Sequence, residues 1–101
     1  LLVVPSRRES MSLVALEAGI CGIPVLLTEE CGFNAIRSVD SRLEVSATIK
    51  GLQEGLINLL SDSNSLKKIG PIWHEFVKNN YDWNVIVNLY IHAYHKILNK
   101  Q

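Results

Sequence analysis

Three features of the sequence predict an α/β fold in which a small parallel sheet is followed by helices. The chain opens on an unbroken apolar run, Leu1-Leu2-Val3-Val4, of the kind found in strands buried on both faces of a parallel sheet. A segment of helical spacing follows and leads into a second apolar run, Ile23-Pro24-Val25-Leu26-Leu27-Thr28, an order that reads as a right-handed βαβ unit. From residue 48 onward apolar residues recur every three or four positions, so the second half reads as helical.

Taken in order, residues 1–4 form the first strand, ended by Pro5-Ser6, and residues 7–11 form a loop. Ser12 is placed to cap the helix that runs from Leu13 to Ile20, and Gly22 closes it. The second strand occupies residues 23–28, a loop containing Gly32 occupies 29–34, and 35–38 reads as a helical turn. Residues 43–45 form a further short strand. One helix carries the stripe Ile49, Leu52, Leu56, Leu59 and Leu60, and another carries Leu66, Ile69, Trp73, Phe76 and Val77. Gly70-Pro71 should kink that second helix or delay its start. Asp82 then caps a long final helix with Val85, Ile86, Leu89, Tyr90, Ala93, Tyr94, Ile97 and Leu98. Trp73, Phe76, Trp83, Tyr90 and Tyr94 read as core or packing residues.

At 101 residues, 48% apolar and 20% charged, the chain suits one globular domain with a core. Ten basic residues balance ten acidic ones, so charge gives no reason to expect nucleic acid as a partner. No apolar run reaches the length of a membrane span, and no signal-peptide pattern opens the sequence. Cys21 and Cys31 are too few for a disulfide-stapled secreted domain, so reduced thiols in a cytoplasmic protein are expected. So apolar a first strand, with no initiator Met and no polar lead-in, reads as cut from a longer protein.

The residues with chemistry to offer lie between positions 5 and 32. Glu9 stands just before the first helix and Glu17 inside it. The N-terminus of such a helix, at the C-terminal edge of a parallel sheet, is where free N–H groups and the helix dipole would meet a diphosphate. A carboxylate suits vicinal hydroxyls of a sugar, which are two donors that one carboxylate accepts together.

The stretch Pro5-Ser6-Arg7-Arg8-Glu9-Ser10-Met11-Ser12-Leu13-Val14-Ala15-Leu16-Glu17-Ala18, followed by Gly22-Ile23-Pro24-Val25-Leu26, resembles the donor-site signature of family-four retaining glycosyltransferases, including its two glutamates with seven residues between them. Thr28-Glu29-Glu30-Cys31-Gly32-Phe33-Asn34 resembles the loop that follows, and the Trp83 helix ending in Tyr94-His95-Lys96-Ile97-Leu98 resembles the family's terminal helix. The resemblance implies the C-terminal half of a GT-B enzyme, in which two Rossmann-like domains face each other across a cleft. Residues 1–47 would be the βαβ part with the donor motif and residues 48–101 the C-terminal helices, the last crossing back to the other domain.

It further implies a nucleotide-sugar donor linked to UDP, GDP or ADP, transferred with retention to a saccharide or lipid-linked acceptor, as in polysaccharide biosynthesis. Glu17 would accept from the ribose hydroxyls and Glu9 from the transferred sugar. Ser10 belongs to the same motif, and the backbone around Met11, Ser12 and Leu13 would approach the sugar and diphosphate. No cofactor or metal is implied. The acceptor site and the basic pair facing the diphosphate would lie upstream, so this piece alone should not catalyse, and the parent could dock on the inner face of a membrane. Two positions depart from the pattern: Met11-Ser12 stands where the family commonly has an aromatic residue and a glycine, and Ala35 where many members have a glutamate.

Plainer readings stand beside these. Alone, Glu9 and Glu17 would be solvated surface carboxylates, and Ser10 and Ser12 simple helix caps. Arg7, Arg8, Lys67 and Lys68 read as solvated charges, and His92 and His95 lack the acidic or cysteine partners of a metal site. An epimerase or phosphorylase on the same scaffold, or a non-catalytic lobe that binds nucleotide or protein, would share this fold.

Overall fold

The two apolar runs pair with each other. In the computed structural model, which describes residues 1–100, β1 (Leu2–Val4) and β2 (Val25–Thr28) run parallel, with Leu2 opposite Val25 and Val4 opposite Leu27. β3 (Glu44–Val45) lies parallel along the other edge of β2, giving the order β1-β2-β3. β2 is buried throughout. β1 is half-buried, against the expectation of burial on both faces, because among the described residues it has a neighbouring strand on one edge only. β2 begins at Val25 rather than Ile23, while the Pro24 carbonyl accepts the Leu2 N–H at 2.9 Å.

Helix α1 (Leu13–Ile20) links the two strands, with Ser12 at its N-cap as the sequence indicates. At its end Ile23 N–H donates to the Ala18 carbonyl and Gly22 N–H to the Gly19 carbonyl, both at 2.9 Å. This double bond pattern needs a left-handed residue after the helix, and Gly22 supplies it at φ 71°. Between β2 and β3 the chain makes three 3₁₀ turns, Glu29–Cys31, Asn34–Ser38 and Ser41–Leu43. Part of the expected 29–34 loop is therefore a turn, and Leu43 ends a turn instead of opening β3.

Helix α2 (Ile49–Leu60) is capped by Thr48, and α3 (Ser63–Tyr81) by Asp62, whose carboxylate accepts the Ser65 N–H at 3.2 Å. The α2 stripe is narrower than its pattern: Leu59 is buried and Leu52 and Leu56 half-buried, but Ile49, 89% exposed, and Leu60 at the two ends of the helix face solvent. Pro71 does not delay α3, which starts eight residues before it. The amide it lacks leaves the Lys67 carbonyl without a helical partner, and both residues are exposed, so water can serve that carbonyl.

One core spans both halves of the chain, from Ala15 to Val77. Trp73, fully buried, meets Phe33 edge-on at 5.4 Å between centroids and stacks on Phe76 at 5.7 Å. Its indole and Val77 pack so closely on α1 that only glycine fits at position 19 without movement. The last helix, α4 (Trp83–Leu98), behaves differently and buries no residue. Trp83, Tyr90 and Tyr94, read from sequence as core or packing residues, are exposed. The molecule is correspondingly long, 54 × 26 × 18 Å, with a radius of gyration of 15.7 Å, against about 13 Å for a compact domain of this size.

Candidate functional site

Because β1 and β2 are parallel, both end at the same edge of the sheet, the edge where ligands of open α/β sheets are held. The loop carrying Glu9 leaves β1 there, and the Glu29–Cys31 turn leaves β2 beside it. The two segments are tied together along their length. The Thr28 hydroxyl donates to the Ser6 carbonyl, the Cys31 thiol donates to the Val4 carbonyl at 3.4 Å, and the Glu9 N–H donates to the Glu30 carbonyl at 2.9 Å. Cys31 Sγ also lies 3.3 Å from Thr28 Oγ1. Gly32 follows at φ 67°, and a Cβ there would run into the Ser10 carbonyl. Glycine is therefore required twice over at position 32, by backbone conformation and by space.

Glu9 is half-buried on this loop. One of its carboxylate oxygens, Oε2, is shut off from solvent and has no hydrogen-bond partner. A buried acceptor without a donor is costly, and native structures rarely leave one without a reason. Ser10 is exposed and Met11 half-buried against the core. Ser12 is fully buried, its Oγ accepting the Ala15 N–H at 3.3 Å, so its hydroxyl faces into the helix end and not outward. Leu13 is exposed at the first position of α1, where its N–H and that of Val14 have no intrahelical acceptor.

Glu17 is exposed, one turn further along α1 than the Ser12 cap bond. It borders an apolar cavity of about 370 Å³ formed with Leu16, Ile20, Cys21, Val77 and Tyr81. Burial pushes the Tyr81 phenol above its ordinary value. The structure thus gives the two glutamates different surroundings, a clamped loop for Glu9 and a helix surface beside an apolar hollow for Glu17. Neither forms an ion pair among the described residues.

A second cavity, about 380 Å³ and polar, opens between the β2–β3 connection and α2, with Glu29, Arg37, Glu44, Glu54 and Asn58 on its wall. Sequence reasoning did not single it out. Arg42, also on that wall, is already engaged by Asp40 at 2.8 Å and Asp62 at 3.3 Å. Its hydrogen bond holds the Asp40 carboxyl below the usual carboxylate range, and the paired carboxylates raise the Arg42 guanidinium. No group of three or more metal-ligating side chains occurs among the described residues. Arg7, Arg8, Lys67, Lys68, His92 and His95 are exposed, and both cysteines are free thiols. No helix among the described residues is long and apolar enough to cross a membrane.

The fold is thus a small α/β unit with one glutamate before its first helix and another within it, and comparison with known proteins assigns its family. Residues 1–73 match the family described as glycosyl transferases group 1, and the chain belongs to that family. Its small parallel sheet followed by helices is the architecture of a C-terminal piece of a GT-B glycosyltransferase. Among solved structures it is similar to a sucrose-phosphate synthase from Thermosynechococcus elongatus, with a TM-score of 0.77 and 26% identity over 98% of this chain. The chain spans 25% of the length of that synthase. No curated protein matches the sequence.

Proposed function

We propose that this chain is the donor-binding part of a glycosyltransferase that moves a sugar, with retention, from a nucleoside-diphosphate sugar to a saccharide or lipid-linked acceptor. The observation that carries the reading is the pair of glutamates around the start of α1: Glu9 with a desolvated, unpartnered carboxylate oxygen, and Glu17 exposed on the helix that follows. Hydroxyl donors of a bound sugar would satisfy the first. The ribose hydroxyls would meet the second, with the apolar hollow beside it ready to cover the nucleoside.

The diphosphate would lie against the free N–H groups of Leu13 and Val14, where the helix dipole favours negative charge. Ser10 and Met11 would form the wall of the loop. Ser12 would act through its backbone and through the cap it provides, since its side chain is turned inward. Charge on the departing diphosphate would be met by these amides together with basic side chains from outside the chain, with no resident metal or cofactor. The acceptor would come from a facing domain. A cytoplasmic enzyme, peripheral to the membrane where its acceptor is lipid-linked, fits this reading, with polysaccharide biosynthesis as its setting.

Titration of the full-length parent with UDP, GDP and ADP tests it. One nucleotide should bind, and Glu17→Ala should weaken that binding by about ten- to a hundredfold, as expected for losing one or two hydrogen bonds to a charged acceptor. Binding that is indifferent to Glu17 would overturn the assignment and favour a lobe with no donor site.

A further inference from the structure

Three backbone groups at the end of β1 and in the loop after it are hydrogen-bonded by residues 28–31, Val4 by Cys31, Ser6 by Thr28 and Glu9 by Glu30. The Ser10 carbonyl lies so close to Gly32 that a Cβ there would not fit. The side chains making these contacts are unusual for their places. Thr28 is a buried hydroxyl, 1% exposed, at the end of an otherwise apolar buried strand, and Cys31 is a buried thiol in a short turn. A buried hydroxyl is tolerated where it has a partner. Here the hydroxyl has two partners, Cys31 Sγ in the adjoining turn and the Ser6 carbonyl in the loop that carries Glu9.

From this we infer that residues 28–32 form a clamp that sets the height of the Glu9 loop above the sheet edge, with Thr28 and Gly32 as positioning residues for the transferred sugar. The inference rests on the donor-site reading of Glu9 given above. Its physical content is rigidity. The loop is tied at Glu9 through its own amide, and the next residue, Ser10, packs its carbonyl directly against Gly32. The carboxylate is therefore kept half-buried with Oε2 unpaired before any ligand arrives, and a hydroxyl donor meets a preset acceptor instead of a mobile one. Glu17 stands on α1, outside the clamp. Loosening the clamp should then act on the sugar end of the donor and not on its nucleoside end.

The test compares affinity for a sugar nucleotide with affinity for its free diphosphate in the full-length parent. UDP-glucose, GDP-mannose and ADP-glucose serve as probes beside UDP, GDP and ADP. Thr28→Val keeps the branched shape of the side chain and removes the hydroxyl. It should weaken sugar-nucleotide binding about tenfold while leaving the free diphosphate within about twofold, with Thr28→Ser restoring the difference. Gly32→Ala should act in the same direction, and the circular dichroism of each variant checks that the fold persists. Equal weakening of both ligands by Thr28→Val would mean a general structural role and overturn the inference. So would an unchanged sugar increment in Thr28→Val when Glu9→Gln abolishes it. If Glu9→Gln also leaves the increment unchanged, the donor-site reading itself fails and the clamp falls with it.

Discussion

Helices α3 and α4 follow one another through Asp82, span nineteen and sixteen residues, and carry apolar residues at the same three-four spacing. α3 turns its stripe inward, burying Ile69, Trp73 and Val77 and resting Leu66 and Phe76 on the core. α4 buries nothing, and Trp83 is 78% exposed at its first position. Their N-caps differ in the same sense. Asp62 bonds the Ser65 N–H with its side chain, whereas Asp82 stands at the cap of α4 without a side-chain bond and contributes only its carbonyl, which accepts the Ile86 N–H at 3.0 Å. Periodicity therefore tells that a helix has a face to cover, and says nothing of what covers it.

The contrast is sharpest at its two tryptophans. Trp73→Ala in this chain should cost about 3–5 kcal/mol in urea unfolding, because it empties the centre of the aromatic cluster and removes the support of α1 at Gly19. A loss under about 1 kcal/mol would show that α3 does not carry the core. A smaller effect is expected at the caps. Asp62→Ala should lower the unfolding midpoint and Asp82→Ala should leave it where it is.

Acid should reproduce the first of these. Hydrogen bonds from Ser65, with a further contribution from Arg42, lower the Asp62 pKa, and Arg42 lowers that of Asp40. Their contribution is complete above the unfolded value of 3.8 and is lost as pH falls through the lowered folded values. The urea midpoint should thus drop below about pH 4 more steeply in the unmodified chain than in Arg42→Met. An identical slope would remove these carboxylates from the account. Trp83→Ser should likewise change little, within about 0.5 kcal/mol in this chain, because the indole is largely exposed. The same substitution in the full-length parent should cost more, if α4 crosses back to the other domain as the family resemblance implies.

Much of this was legible in order along the chain. The run Leu1 to Val4, the Ser12 cap and the Gly22 stop determine the βαβ unit, because burial of a parallel sheet and the capping of a helix are local demands on residue type. The spacing of Glu9 and Glu17 within its motif determined the family resemblance. The clamp was not legible, since Thr28 reads as the end of a strand and Gly32 as an ordinary loop glycine. Their partners Ser6 and Ser10 lie 22 positions back in the chain, brought alongside only when β1 pairs with β2. Nor does periodicity alone show that Ile49, Leu60 and the α4 stripe from Leu89 onward stay uncovered. The sequence by itself determined which faces are apolar and where helices start and stop, for those follow from neighbours within a few residues. Only the tertiary structure decided which faces meet and which buried acceptor is left waiting, because burial and partnership depend on what arrives from elsewhere in the chain.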